Sequence, residues 1–405
     1  MALESGRELA RRIAVTLQSS GYLAYWVGGC VRDQLLGLLP KDFDVATSAV
    51  PEEILGLFPD AELIGASFGV VQVRDGATGG VVEVATFRSE SGYRDGRHPE
   101  QVRYEKDASL DASRRDFTIN ALFYDPVRDE VIDFVGGRED LRAGIVRAIG
   151  EARERFDEDH LRLLRAVRFA ARFGYEIEAK TLEALREMAP KLVRIAGERL
   201  HDEMSLILTS ANRGPALQML RETGLLRVLL PELPEGRGTR LALLRGPVSM
   251  PLAWAALLEG VSDVTGVLQR FRFSHVEAEQ CLKLLRGELQ FGRVNEMPVA
   301  ELKRFLRMAN FAEQLELHRA SCEAHGVGSA TYEHMHGLLA QWSAEELRPL
   351  ALLSGDDLLE LGLLPGPRFR EILNRVEDAQ LEGRITTREE AIELALAQGG
   401  GDVHG

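Results

Sequence analysis

The chain has 405 residues, of which 45% are hydrophobic and 28% charged, and a formal net charge of −14. This length predicts more than one folded domain. The acidic balance excludes a protein coated in basic residues, so a nucleic-acid partner would need a local basic stripe. No apolar run is long enough to cross a bilayer, and the N-terminal segment lacks a signal-peptide core. We therefore expect a cytoplasmic protein without membrane contact.

A glycine pair marks the first candidate site. Residues 1–15 predict an amphipathic helix, and residues 25–47 follow with YWVGGCVRDQLLGLLPKDFDVAT. The apolar start breaks at Gly28 and Gly29, where backbone N–H groups can approach a phosphate at the start of a short helix. Arg32 lies about one helical turn past Gly29 and can reach the same anion.

Two aspartates follow the glycine pair in a D-x-D pattern. Residues two apart on a strand point to the same side, so the carboxylates of Asp42 and Asp44 would project together as a hard-oxygen site for Mg²⁺. Either motif alone is more often a turn or a solvated strand edge. Together they indicate nucleotidyl transfer. Glu83, on a later predicted strand, either completes a carboxylate triad or faces solvent.

A polar segment separates the predicted strands from the next motif. Strands are predicted at residues 70–73, 81–87 and 102–104, with a hairpin turn at 75–80. Residues 88–105 are polar and contain two glycines and a proline, which predicts a mobile loop. The loop is either a linker or a lid over a nucleotide.

Two further segments concentrate arginine. Residues 114–121, RRDFTINA, predict a helix start whose arginines suit a triphosphate and whose carboxylate suits a ribose hydroxyl. The alternative is a capping cluster of ion pairs. Residues 157–175, DEDHLRLLRAVRFAARFGY, predict one continuous helix with its arginines on one face. Asp159 and Arg162 would be neighbours on it, and an intrahelical salt bridge is the alternative to a functional pair. Strands are expected to stop near residue 140, and the chain beyond residue 179 predicts only helices.

In this order the motifs resemble those of the class II tRNA nucleotidyltransferases, which include CCA-adding and A-adding enzymes and bacterial poly(A) polymerases. GGCVRD followed by KDFDVAT resembles the metal and triphosphate motif, and RRDFTINAL resembles the ribose-sensing motif. The segment at 157–175 resembles the base-reading motif, and GERLHDEM, with Glu198 and Arg199, resembles the last neck motif. Residues 354–388 resemble the tRNA-contacting tail.

The resemblance implies a seahorse-like monomer with an α/β, polymerase-β-like nucleotidyltransferase head followed by an all-α neck, body and tail. The implied domains are a catalytic head at 1–140, a base-recognising neck at 141–205, a body at 206–270 and a tRNA-binding tail at 271–405. The implied partners are the 3′ end of tRNA, ATP and CTP, with pyrophosphate as the leaving product.

The resemblance also assigns residues to roles. Asp42 and Asp44 would be catalytic and would hold two Mg²⁺ ions. The nucleotide-binding residues would be Gly29, Arg32, Arg165 and Arg168 at the triphosphate, with Gly28 beside them, Arg115, Asp116 and Asn120 at the ribose, and Asp159 and Arg162 at the base.

Hydrogen-bond complementarity supports the base-reading pair. Cytosine and adenine each present an exocyclic amine beside an acceptor nitrogen, which suits a carboxylate beside an arginine. Uracil and guanine reverse this pattern, and a site left with unpaired polar groups can reject them by about 10⁴-fold.

The motifs leave the exact product open. Complete CCA addition, A addition alone, CC addition alone and poly(A) synthesis all use them, although the retained residues 93–97 favour A addition. Two further functions are considered. One is RNA binding by a catalytically inactive relative, and the other is nucleotidyl transfer to proteins or small molecules. The intact aspartates disfavour the first, and the long helical remainder disfavours the second.

Overall fold

The computed structural model describes residues 2–65, 69–93, 99–363 and 365–399. The chain divides into two compact units. Unit 1 is Met1–Leu233 with Gly266–Arg272, and unit 2 is Pro234–Thr265 with Phe273–Gly405. Every candidate site residue lies in unit 1. The finer division into head, neck, body and tail stays a prediction.

The described strands all belong to unit 1. They are β1 (Ala24–Val27), β2 (Asp44–Thr47), β3 (Ala61–Gly65), β4 (Val70–Arg74), β5 (Val81–Thr86), β6 (Arg88–Tyr93), β7 (Pro99–Tyr104), β8 (Leu122–Asp125), β9 (Glu130–Asp133), β10 (Ile145–Val146) and β11 (Glu176–Ile177). Seven of them form one mixed sheet in the order β3-β4-β5-β2-β1-β8-β9, in which only β2 and β5 run parallel. β6 and β7 form a separate antiparallel hairpin, and β10 pairs in parallel with β11.

Eleven helices complete the first part of unit 1 among the described residues. They are α1 (Ala2–Ser19), α2 (Gly29–Leu35), α3 (Pro51–Leu57), α4 (Ala108–Ser113), α5 (Gly137–Ala143), α6 (Ala152–Glu158), α7 (Arg162–Phe173), α8 (Ala179–Met188), α9 (Gly197–Leu208), α10 (Arg213–Glu222) and α11 (Leu225–Leu229). α1 packs against β1, β2 and β5. An apolar core that includes Val27, Ala46, Phe87 and Phe123 fixes the sheet that carries the first motif.

Every regular element described in the rest of the chain is a helix, as predicted. Its helices are α12 (Arg240–Leu243), α13 (Met250–Leu257), α14 (Val264–Arg270), α15 (His275–Glu288), α16 (Val299–Leu306), α17 (Phe311–His325), α18 (Ala330–Gln341), α19 (Ala344–Leu347), α20 (Gly355–Glu360), α21 (Pro367–Leu381) and α22 (Arg388–Gly399). Most of α14 belongs to unit 1, and the other helices belong to unit 2. No helix in the described ranges is long and apolar enough to span a membrane.

The predicted helix at residues 114–121 is wrong. α4 ends at Ser113, Thr118–Asn120 is a single 3₁₀ turn, and β8 begins at Leu122. β8 pairs with β1 on one side and β9 on the other. The aromatic residues that follow, Phe123 and Tyr124, suit a strand, and their pairing with β1 leaves no room for a helix to continue from residue 114. The strands β3, β8, β9, β10 and β11 were not predicted, and the expectation that strands stop near residue 140 is wrong, because β10 and β11 pair beyond it.

The predicted loop at residues 88–105 is mostly regular. β6 and β7 pair from Arg88 opposite Tyr104 to Tyr93 opposite Pro99. Residues 94–98 lie outside the described residues, and most of the segment on which the lid interpretation depends lies there.

The predicted continuous helix at residues 157–175 is also wrong. α6 ends at Glu158 and α7 begins at Arg162, with Asp159 extended between them at φ −145° and ψ 106°. The Oδ1 atom of Asp159 accepts a hydrogen bond from the N–H of Leu161 at 3.1 Å. An aspartate that bonds to nearby backbone in this way competes with the helix. Asp159 and Arg162, which the sequence predicts to read the base, therefore lie at a break between two helices.

Gly137 sets how closely α5 approaches the 3₁₀ turn. A Cβ atom there would lie 2.2 Å from the carbonyl oxygen of Thr118. We expect Gly137→Ala to lower the free energy of unfolding by about 1–3 kcal/mol, because two backbone segments would have to separate. Urea unfolding measures this change.

Gly56→Ala is the matched control for that substitution. Gly56 lies in α3, and a Cβ atom there would meet nothing within 4 Å. We expect a gain of about 0.5–1 kcal/mol from the higher helix propensity of alanine. Equal effects at the two positions would contradict the close approach at Gly137.

Candidate active site

One cavity of about 570 Å³ in unit 1 brings the candidate residues together. All twelve residues predicted from the sequence line it: Gly28, Gly29, Arg32, Asp42, Asp44, Arg115, Asp116, Asn120, Asp159, Arg162, Arg165 and Arg168. Five further lining residues had no individual role assigned, although Arg114 and Arg199 lie in the predicted motifs: Arg114, Leu161, Phe169, Arg172 and Arg199. The wall therefore carries eight arginines facing four carboxylates.

The glycine pair acts through backbone conformation. Gly28 precedes α2 with φ +74°, a value that favours glycine, and a Cβ atom there would lie 3.2 Å from Nη1 of Arg115. The N–H of Gly28 donates to the carbonyl oxygen of Leu122 at 3.1 Å. That N–H group is therefore already used by the sheet, and the phosphate contact predicted for the glycine pair stays a prediction. Gly29 is the first residue of α2.

The two D-x-D carboxylates place negative charge at the N-terminal end of β2. Asp44 begins the strand, whereas Asp42 precedes it, so the expectation that both lie on a strand is only half right. Burial, with the charges of Asp42 and Glu83, raises the pKa of Asp44 to about 6. Asp44 and Glu83 lie opposite each other on the parallel strands β2 and β5. Among the described residues, however, no three acidic, histidine or cysteine side chains group closely enough to hold a metal ion by themselves.

Arg32 is buried in a network that joins α2 to α7. Its Nε and Nη2 atoms donate to Oδ1 of Asp33 at 2.8 and 2.7 Å, and its Nη1 donates to Oδ1 of Asn120. Nη2 of Arg172, on α7, donates to the other oxygen of Asp33 at 3.0 Å. Asp33 thus holds two cavity arginines from different helices.

Asp116 continues this network back to α7. Its Oδ1 accepts a hydrogen bond from Nδ2 of Asn120 at 3.0 Å, and its Oδ2 accepts two from Arg165, at 2.8 and 2.6 Å. Burial by itself would raise the pKa of Asp116, but the charge of Arg165 and the bond from Asn120 outweigh it and lower the pKa to about 2. Asp116 is therefore ionised at neutral pH.

Asp159 and Arg162 have different partners from those expected. Both oxygens of Asp159 accept from Nη2 of Arg199 on α9, at 3.1 and 2.8 Å. Arg162 instead pairs with Glu158 one turn earlier. Asp159 and Arg162, both described residues, form no ion pair with each other, so the intrahelical salt bridge that was the alternative to a functional pair is absent.

A buried carboxylate holds the arginines that follow α4. Asp111 is 1% exposed and pairs with Arg114 at 2.7 Å and with Arg115 at 3.0 Å. Arg114 also donates to Glu90 of the β6–β7 hairpin at 3.3 Å. The hairpin is therefore anchored directly to the cavity wall.

Glu203 supports the remaining predicted phosphate arginine. It lies on α9, is 5% exposed, and accepts a hydrogen bond from Nε of Arg168. A buried carboxylate beneath a cavity arginine leaves no local pattern in the sequence. Arg172, in contrast, continues the spacing of Arg165 and Arg168, and that spacing could have revealed it.

Comparison with known proteins identifies the chain. Residues 24–147 match the poly A polymerase head domain, and residues 174–235 match the probable RNA and SrmB-binding site of polymerase A. The CCA-adding enzyme of Leuconostoc mesenteroides is 32% identical over 95% of this chain and 94% of its own, and that of Levilactobacillus brevis is 34% identical over 96% and 97%. The chain belongs to the class II tRNA nucleotidyltransferases.

The solved structures agree with this family. The crystal structure of the Bacillus stearothermophilus CCA-adding enzyme in complex with CTP covers 96% of both chains with a TM-score of 0.77 at 30% identity. The predicted family and the predicted α/β head followed by helices are confirmed. The protein is thus a tRNA nucleotidyltransferase, an enzyme that adds nucleotides to the 3′ end of tRNA.

The acid stability of this nucleotidyltransferase should depend on Asp116. The folded pKa of about 2 lies below the ordinary 3.8, so ionised Asp116 stabilises the fold by about 2 kcal/mol above pH 4. This contribution is lost as the pH falls from 4 towards 2. Asp116→Asn should therefore flatten the loss of stability in that range.

Urea unfolding at stepped pH measures this slope for both proteins. Arg165→Met is the matched variant, because it removes the main cation that favours ionised Asp116 and should raise the pH at which stability is lost. Identical acid profiles for the parent and Asp116→Asn would contradict the lowered pKa.

Proposed function

We propose that this enzyme builds the complete CCA end of tRNA, using CTP and ATP in the cytoplasm. The observation that supports this proposal most directly is that Asp159 and Arg162 lie at a helix break and line the arginine-rich cavity. The full-length relatives at 32% and 34% identity are both CCA-adding enzymes. The solved relative at 30% identity binds CTP.

The base-reading pair retains unused hydrogen-bonding capacity. A carboxylate has about four acceptor sites. Arg199 occupies one on each oxygen of Asp159, and the N–H of Leu161 occupies a second on Oδ1. The remaining site, on Oδ2, can accept from the exocyclic amine of cytosine or adenine. Arg162 donates from Nη1 and Nη2 to Glu158 and to two carbonyl oxygens, which leaves donors for a ring nitrogen. Arg199 would thus fix the direction of the carboxylate that reads the base.

The D-x-D pair is suited to divalent cations. Among the described residues neither the Asp42 nor the Asp44 carboxylate has a hydrogen bond or an ion pair, and burial, followed by the charges of Asp42 and Glu83, raises the pKa of Asp44. Oxygen ligands on adjacent carboxylates fit Mg²⁺. Asp42 and Asp44 would hold the Mg²⁺ ions whose charge stabilises the attacking and leaving oxygens of nucleotidyl transfer.

The arginine wall would bind the triphosphate. Arg165, Arg168 and Arg172 lie on successive turns of α7, and Arg32 lies beside them on α2. Charge-assisted hydrogen bonds from such arginines would orient the nucleotide and neutralise the developing pyrophosphate. Asp116 and Asn120 would then face the ribose, as the family resemblance implies.

An extension assay tests the product. Transcripts of tRNA lacking CCA, ending in C, or ending in CC are each incubated with one labelled nucleotide and Mg²⁺. A CCA-adding enzyme should extend the first two with CTP and the third with ATP, and then stop. Asp42→Ala and Asp44→Ala should abolish every extension while leaving the thermal unfolding temperature nearly unchanged.

The same assay distinguishes the products that the family makes. Extension of only the CC-ending transcript would identify an A-adding enzyme, and repeated addition of A would identify a poly(A) polymerase. Either result would overturn the proposal of complete CCA addition. Extension by the aspartate variants would overturn the metal assignment.

Base choice should depend on Asp159. Asp159→Ala removes the acceptor for the exocyclic amine, so discrimination against UTP and GTP should fall by about 10²-fold or more. Arg165→Ala should instead weaken the binding of all four nucleotides equally, because a phosphate contact carries no base information. The measurement is kcat/KM for each nucleotide.

Asp157→Ala is the matched control for Asp159→Ala. Asp157 is an exposed acid two residues away that pairs with Lys191 and is not among the cavity residues. Its removal should leave base choice unchanged. Unchanged discrimination in Asp159→Ala as well would mean that the base is read elsewhere.

A further inference from the structure

Two phenylalanine rings on α7 lie beneath the proposed phosphate arginines. Phe169 and Phe173 are one helical turn apart, and their rings are stacked with centroids 6.3 Å apart and planes 5° apart. Phe169 is 5% exposed and lines the cavity. Neither ring was predicted as a functional residue.

Three guanidinium groups surround the ring of Phe169. Their central carbons lie 5.2 Å from the ring centroid for Arg32, 5.2 Å for Arg165 and 4.3 Å for Arg168. All three distances are within the roughly 6 Å range of a cation–π attraction. The three charges therefore lie no further apart than about one Debye length at 0.1 M salt, which is about 10 Å.

The ring of Phe173 extends the same arrangement. Arg32 lies 4.7 Å from its centroid and Arg172 lies 4.9 Å from it. Arg32 thus contacts both rings. Together the pair contacts four arginines from two helices, and all four line the cavity.

A ring and a carboxylate constrain an arginine in different ways. The carboxylates Asp33, Asp116 and Glu203 accept N–H groups from these four arginines, which orients them but uses donors and cancels charge. A ring face attracts the flat side of the guanidinium through its quadrupole and uses no N–H group. Free N–H groups and positive charge are what a triphosphate requires.

We propose that Phe169 and Phe173 are positioning residues for the nucleotide triphosphate. Their faces hold four like-charged guanidinium groups close together and fix their planes while leaving the remaining N–H groups for phosphate oxygens. Phe169 carries more of this role because three arginines surround it. The inference rests on the proposed triphosphate role of these arginines.

A purely hydrophobic role makes a different prediction. Phe169 also packs edge-on against Phe117, with centroids 5.9 Å apart, so it belongs to the core of unit 1 as well. If packing were its only function, a substitution that preserves the shape of the ring would leave nucleotide affinity unchanged. A change in the electron density of the ring that keeps its shape therefore distinguishes the two roles.

The test is a fluorination series at position 169 in the full-length enzyme. Mono-, di- and trifluorophenylalanine keep the ring nearly the same size but progressively weaken its negative face. We expect the Kd of CTP and of ATP to rise stepwise, by about tenfold in total for a lost attraction of this strength. The ratio of CTP to UTP affinity should stay constant, because the base contacts are unchanged. Equal Kd values across the series would overturn the proposal.

Leucine substitutions provide an independent measurement. Phe169→Leu should raise the KM of CTP and ATP about tenfold while kcat changes less, and Phe173→Leu should have a smaller effect. Phe87→Leu is the matched control, because Phe87 is fully buried in unit 1 and is not among the cavity residues. It should lower thermal stability comparably without changing KM. A KM rise in Phe87→Leu as large as in Phe169→Leu would assign the effect to lost packing and overturn the proposal.

Arg165→Ala distinguishes this inference from the proposed function. If Arg165→Ala weakens nucleotide binding but the fluorination series does not, the positioning role fails and the triphosphate assignment stands. If neither affects binding, the triphosphate assignment itself fails, and the positioning role fails with it.

Discussion

The concentration of eight arginines around one cavity is the constraint on which the site depends. The repulsion between like charges at this density must be offset by carboxylates buried between them. The structure meets this requirement with a hydrogen-bonded network that starts and ends on α7. Its links run from Arg172 through Asp33, Arg32, Asn120 and Asp116 to Arg165. Because the network is closed, displacing one member disturbs the partners of the others.

The same network explains how separate segments form one site. α2 contributes Arg32 and Asp33, the 3₁₀ turn contributes Asn120, and α7 contributes the arginines at both ends. None of these elements is long, and each buries one side against the sheet or the neighbouring helices. Ionic contacts between them therefore set the distances across the cavity, whereas apolar packing sets only the general arrangement.

None of the described cavity residues is arranged as a nucleophile, and nucleotidyl transfer needs none from the protein. The attacking group belongs to the RNA, so the protein's contribution is to position the nucleotide and neutralise its charge. In the cavity, Asp42 and Asp44 lie at or just before the start of β2, four arginines lie on α7, and Asp159 lies at the break before α7. With the proposed roles, α7 and the break before it would link base reading to phosphate binding.

The sequence by itself determined the family, the α/β-then-helical order and all twelve lining residues that were predicted. These depend on local motifs, namely the glycine pair, the D-x-D spacing, RRDFTIN and arginines three or four residues apart, together with the resemblance of those motifs to a known family. The tertiary structure decided what holds each residue in place. Arg172 meets Asp33 across 139 positions, and Arg199 meets Asp159 across 40, so neither pair leaves a local pattern. The strand β8 follows the same rule, because its pairing with β1 joins segments about a hundred residues apart and outweighs the local helical pattern.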